Sequence, residues 1–141
     1  MNPIVLLTDY GREGPYVGQL HAVLAQQAPR HPVIDLMHDL PAWDVRAAAY
    51  LLPAITRPFA TGSVFVCVVD PGVGGDRAAL AIRSRGAWLV GPDNGLFAPL
   101  MSQADDAACH EIGWRPARLS RSFHGRDLFA PAAAQLARGQ Q

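Results

Sequence analysis

Two rhythms of apolar and polar residues alternate along this chain. Short, almost unbroken apolar runs occur at Pro3–Thr8 (PIVLLT), Val33–Met37 (VIDLM) and Ser63–Val69 (SVFVCVV). The first predicts a short buried strand and the second another strand, and the third, β-branched and almost wholly apolar, is typical of a strand covered on both faces. Between them the apolar residues return every three or four positions. Val17, Leu20 and Leu24 share one face of a helix predicted over Tyr16–Gln27, with Pro15 as its first residue. Val45, Ala48, Ala49 and Leu52 do the same for a second helix. That helix begins near Trp43 or Asp44, and Pro53 bends or ends it.

The second half reads in the same way. Ala78–Arg83 and Ala87–Gly91 predict two strands around a turn at Ser84–Gly86. A short helix is expected over Leu96–Ser102, a strand over Ala108–Ile112 and a last helix over Arg126–Arg138. Gly139 caps the last helix, and Pro131 must fall in its first turn or mark its true start. The order β-α-β-α-β-β-β-α-β-α predicts an α/β fold, a three-layer sandwich with a mostly parallel central sheet.

Composition narrows the chemistry. Half of the 141 residues are apolar and 17% are charged, which suits one globular domain. The formal net charge is zero, against the basic surface that nucleic-acid binding requires. No apolar run is long enough to span a bilayer, and the N-terminus lacks the layout of a signal peptide. The expectation is a cytoplasmic protein with neither nucleic-acid nor membrane partners. All twelve basic residues are arginine. Without lysine there is no Walker A phosphate loop and no Schiff base to a cofactor. Cys67 lies within an apolar run and reads as a buried thiol, while Cys109 has no CxxC partner. No histidine or cysteine spacing points to a metal.

Three apolar runs end alike: IVLLT leads to Asp9, VFVCVV to Asp70, and WLVGP to Asp93 and Asn94. In open α/β sheets, ligands bind beyond the carboxyl ends of the strands. If these three strands are parallel neighbours, their polar tails gather on one edge. Each aspartate is equally an ordinary turn residue; it is the repetition that favours a site. The DPGVGGDR loop (Asp70–Arg77) leads into a strand, so it lacks the helix N-terminus of a dinucleotide fingerprint. Its glycines instead let backbone approach a ligand closely. His124, in SFHGRD, is a lone histidine near a helix start. His21, His31, His38 and His110 share its structural reading, and His38 follows a strand and borders the same edge.

The segments LLTDYG, PYVG, VIDLMHDLPAWDVRAAA, VVDPGVGGDR, GPDNGL and FHGRDLFAPAAAQLA stand in this order along the chain. In sequence and order they resemble the SAM hydroxide adenosyltransferases, relatives of the bacterial fluorinase and chlorinase. The resemblance runs from the first strand to the last helix. It implies hydrolysis of S-adenosyl-L-methionine (SAM) to adenosine and L-methionine, by attack of water on ribose C5′. SAM is then the substrate, with no cofactor and no metal. Asp70, Arg77 and His124 match the family's catalytic triad. Asp9 matches the residue that holds the ribose hydroxyls, and Trp43 a tryptophan beside the substrate. Tyr16, Asn94 and Phe123 fall at or near further pocket positions. Halide-using relatives carry a tyrosine where this chain has Asp70, which favours water over a halide as nucleophile.

The same family implies a chain about twice as long, with a C-terminal β-barrel domain that grips the adenine. It also implies a homotrimer whose active sites lie between subunits. Residues 1–141 then correspond to the N-terminal catalytic α/β domain, the barrel is absent, and an exposed apolar patch marks where it packs. A halogenase-like enzyme and a non-catalytic nucleoside-binding or assembly module are the alternatives. Binding of SAM without turnover distinguishes the module from the enzyme.

Overall fold

The computed structural model describes residues 1–140, and Gln141 lies outside the described residues. The described residues form six strands: β1 (Ile4–Thr8), β2 (Val33–Met37), β3 (Val64–Val68), β4 (Ala79–Ser84), β5 (Ala87–Pro92) and β6 (Ala108–Glu111). The helices are α1 (Tyr16–Gln27), α2 (Val45–Thr56), α3 (Ala98–Gln103) and α4 (Ala130–Ala137), the last preceded by a π-helical turn over Gly125–Phe129. The element order is the one that the apolar rhythm predicts.

The strands form one sheet in the order β2-β1-β3-β5-β4-β6. β2, β1, β3 and β5 run parallel, whereas β4 is antiparallel to both β5 and β6. The sheet is therefore mostly parallel with two antiparallel pairs. β1 and β3 are buried along their whole length, and their side chains alternate between two apolar cores. Ile4, Leu6, Val64 and Val66 pack with α1 and α4 on one face. Val5, Leu7, Phe65 and Cys67 pack with α2 on the other. This accounts for their unbroken apolar runs. The outer strands differ: Ile34 of β2 is exposed, and β6 is exposed throughout.

The chain moves one way from β1 to β2, then back past β1 to β3. Right-handed crossovers in opposite directions place their helices on opposite faces. They also leave a crevice between the carboxyl ends of β1 and β3, where the direction reverses. Asp9 and Asp70 follow these two ends.

Four details depart from expectation. α2 continues past Pro53 to Thr56, where the Thr56 hydroxyl donates to the Leu52 carbonyl at 2.7 Å. Pro15 caps α1 rather than opening it, and α3 starts at Ala98, two residues later than expected. The last helix begins one residue early and as a π turn, which opens the hydrogen-bond ladder just before Pro131. Pro131 thus falls in the first α-helical turn, where its missing N–H is tolerated. At the start of α2, the Asp44 carboxylate accepts from the Ala47 N–H at 3.0 Å. Asp44→Ala therefore costs about 1 kcal/mol, read as a lower urea midpoint with an unchanged denaturant slope.

Candidate active site

At the crevice, Asp9, Tyr10, Tyr16, Trp43, Asp70 and Phe123 line a cavity of about 340 Å³. A larger hollow of about 480 Å³ lies beside Trp88 and Trp114 near β6, away from the β1 and β3 ends. Asp9 follows β1, and its Oδ2 accepts from the Trp43 N–H at 3.1 Å. Trp43 needs this support, because its φ of 60° is the left-handed conformation that bulky residues avoid. Its side chain is 69% exposed at the rim. Tyr10, Tyr16 and Phe123 form an aromatic wall, with Tyr16 edge-on to Phe123 at 5.1 Å between ring centres.

Asp70 is buried at the end of β3. Arg77 Nε donates to its Oδ1 and Oδ2, both at 3.1 Å, and Arg77 Nη2 also donates to Oδ2. The same Nη2 donates to Nδ1 of His124 at 2.8 Å. A guanidinium has no lone pair to offer, so His124 Nδ1 must be unprotonated. Desolvation, followed by the Arg77 charge, holds His124 below the usual histidine range. Arg77 also stacks over Phe129 of the π turn, 5.3 Å from the ring centre. The order is thus Asp70, Arg77, His124 from the cavity outward. Asp70 faces the cavity, whereas Arg77 and His124 line a separate hollow behind it.

Two loops make this line possible. The 70–77 loop closes through Val73 N–H to Asp70 O at 3.1 Å and Gly75 N–H to Gly72 O at 2.9 Å. Gly74, at φ +80°, lies so close to the Arg121 carbonyl that a Cβ would stand 2.2 Å from it. This contact seats the loop that carries His124 against the loop that carries Arg77.

Of the residues singled out in the sequence, Asp9, Tyr16, Trp43, Asp70 and Phe123 meet at the cavity, with Arg77 and His124 directly behind Asp70. Asn94 does not line it. Its Nδ2 donates to Val69 O at 2.9 Å and its Oδ1 accepts from Leu96 N–H at 3.2 Å, fastening the loop after β5 to the end of β3. His38 is buried beneath the site, against Thr8 and Asp35. The sequence motifs alone do not point to Tyr10, although it stands next to Asp9 in LLTDYG.

Residues 4–141 match the sequence profile of the SAM hydroxide adenosyltransferase N-terminal domain. The chain belongs to this family. A relative from Thermus thermophilus, named (R)-S-adenosyl-L-methionine hydrolase, is 46% identical over 151 residues, covering 99% of this chain and 58% of its own. A relative of the same name from Salinispora arenicola is 46% identical over 140 residues, covering 96% and 53%. The crystal structure of an uncharacterized conserved protein from Thermotoga maritima superimposes with a TM-score of 0.92 at 35% identity, covering 98% of this chain and 54% of that one. This SAM hydroxide adenosyltransferase domain thus spans little more than half the length of the curated relatives it matches.

The His124 contact has a pH consequence. Because the folded state disfavours its protonation, the stability it contributes is complete above about pH 6.5, the ordinary histidine value. That contribution is lost as pH falls through the lowered folded value. In His124→Asn the amide oxygen can still accept from Arg77 but does not titrate. The stability difference between wild type and this variant is therefore expected to shrink or reverse below pH 6, measured by urea denaturation across pH.

Proposed function

We propose that the protein hydrolyses SAM to adenosine and L-methionine, water attacking ribose C5′. The observation that carries this reading is a buried carboxylate facing the cavity, Asp70, clamped from behind by a guanidinium. Water, with a pKa of about 15.7, is a poor nucleophile at neutral pH. Asp70 accepts its proton as the oxygen–carbon bond forms. The carbon–sulfur bond breaks at the same time, and its electron pair stays on the methionine sulfur. A sulfonium leaves without help from an acid, so the reaction calls for no cofactor.

Arg77 fixes the direction of the carboxylate and favours hydroxide character in the transition state. His124 acts through Arg77 rather than on the water, because a permanently protonated guanidinium stands between His124 and Asp70. Asp9 is placed to accept from the ribose hydroxyls beside Trp43, with Tyr16 and Phe123 against the sugar. Asn94 supports the end of β3 and does not touch substrate. A halide nucleophile fits poorly, since the charge nearest the attack position is an anion.

A three-layer sandwich is supported by two apolar cores on opposite faces of the sheet. A homotrimer with sites between subunits, and a separate domain that grips the adenine, are supported by the exposed side chains of Tyr16 and Trp43 at the cavity rim. No helix among the described residues is long and apolar enough to cross a membrane. The free thiols of Cys67 and Cys109 suit the reducing cytoplasm.

The test is adenosine release from SAM, followed by chromatography on the natural polypeptide. Asp70→Asn keeps the shape but not the base, and is expected to lower kcat by roughly 10²- to 10⁴-fold. Equal turnover by the variant would sink the role of Asp70. Asp9→Ala is expected chiefly to raise KM, by roughly 10- to 100-fold for the loss of a charged hydrogen-bond acceptor.

A further inference from the structure

Tyr10 is fixed more tightly than a cavity-lining side chain needs to be. Its ring packs between Tyr16, 5.8 Å away and tilted by 48°, and Phe123, 5.6 Å away and nearly perpendicular. Its backbone is held from below. Tyr10 N–H donates to Thr8 Oγ1 at 3.2 Å, Thr8 Oγ1 pairs with His38 Nδ1 at 2.7 Å, and His38 Nε2 pairs with Asp35 Oδ1 at 2.6 Å. Burial disfavours charge on Asp35, but the hydrogen bonds from His38 and His21 together outweigh it and hold the carboxyl below its usual range, so it is ionised. His38 therefore donates from Nε2, and its Nδ1 pairs with the Thr8 hydroxyl. Gly11 N–H donates to His38 O at 2.7 Å. This buried network ends on the turn that carries Asp9 and Tyr10.

The tyrosine hydroxyl is left free by this arrangement. Among the described residues no buried side-chain polar atom lacks a partner. The Tyr10 hydroxyl has no protein partner there, so it opens on the cavity it shares with Asp70. It also lies directly against Gly125, the residue after His124, where a Cβ would stand 2.1 Å from the hydroxyl oxygen. Only a glycine leaves room for it. Burial, with the carboxylates of Asp9 and then Asp70 nearby, pushes the phenol far above its ordinary range. It therefore stays neutral, with lone pairs available to accept a hydrogen bond.

We propose that the Tyr10 hydroxyl holds the attacking water together with Asp70, accepting one of its hydrogens while Asp70 accepts the other. This rests on the SAM hydrolysis proposed above. A water with both hydrogens engaged presents a lone pair in one direction, and in-line attack depends on that direction. As the oxygen–C5′ bond forms, the C5′–sulfur bond breaks with its electron pair passing to sulfur. The proton on the Asp70 side moves to Asp70. The hydrogen held by Tyr10 stays on the oxygen and leaves as the adenosine 5′-hydroxyl. Tyr10 gains and loses no proton.

Tyr10→Phe removes the hydroxyl and keeps the ring contacts. In the natural polypeptide it is expected to lower kcat by roughly 10- to 100-fold, the scale of a misaligned reactant, with KM for SAM and the unfolding midpoint nearly unchanged. Gly125→Ala is expected to lower kcat on its own by pushing the hydroxyl aside. In the Tyr10→Phe background it should cost little more, because the nearest remaining ring atom is 3.2 Å from the added Cβ. Wild-type kcat in Tyr10→Phe, beside an active wild type, overturns the role of Tyr10 alone. A loss confined to KM also overturns it, as do fully additive losses from the two substitutions. A wild type that releases no adenosine overturns hydrolysis and this inference together.

Discussion

A carboxylate buried at the end of a central strand must be matched by a cation, and Asp70 is matched by Arg77, seven residues along the chain. Left unpaired, such a charge destabilises a fold by several kcal/mol. The pair therefore dictates the course of the chain between the two residues. The 70–77 loop has to double back within one short excursion, so it closes on its own backbone and then enters β4. It cannot run on into a helix. Arg77 in turn reaches the π turn through Phe129 and the preceding loop through His124. One ion pair thus joins the end of β3, the start of β4 and the start of the last helix. The electrostatic and structural contributions of Arg77 are inseparable, and a loss of activity on replacing it has meaning only beside a stability measurement.

The sheet supplies a second constraint, which does not depend on the identity of any polar residue. Because the chain reverses direction between β2 and β3, the carboxyl ends of β1 and β3 lie side by side with no helix connection covering them. Asp9 and Asp70 come within one cavity through backbone register, in which Thr8 pairs with Val68. The apolar cores on both faces hold that register, since a slip of one residue would turn every buried side chain to the wrong face.

These two constraints explain what was legible in the sequence. Strands such as VFVCVV and the helical face of Leu20 and Leu24 follow from the apolar period, which burial enforces residue by residue. Asp9 and Asp70 were legible because a strand end is also a sequence landmark. Partner choice was not. His124 lies 47 residues from Arg77, and Thr8 lies 30 from His38. Asn94 carries the same amide whether it meets a ligand or fastens the Val69 carbonyl. The helix through Pro53 shows that burial of Ala48, Ala49 and Leu52 outweighs a local breaker. Tyr10 left one signal, the glycine after His124, but its meaning depends on a contact between residues 115 positions apart in number that only the fold brings together.

The two sides of the cavity are built unequally, and the proposed chemistry explains why. On the Asp70 side the groups are buried or half-buried and held in place: the carboxylate by Arg77, Arg77 by His124, and Tyr10 against Gly125 above the His38 network. At the rim stand Trp43 and Tyr16, the outer member of the aromatic wall, both exposed. Activating a water requires fixed dipoles in a dry setting, which must exist before the substrate arrives. Gripping the departing half of the substrate requires surface that can close and reopen, because product has to leave. Rigid residues therefore gather where the new bond forms. The left-handed Trp43 backbone, held by Asp9, sits at the boundary between the two sides. On the proposed chemistry, engagement of the ribose by Asp9 would therefore be felt at Trp43, because the same carboxylate holds its backbone.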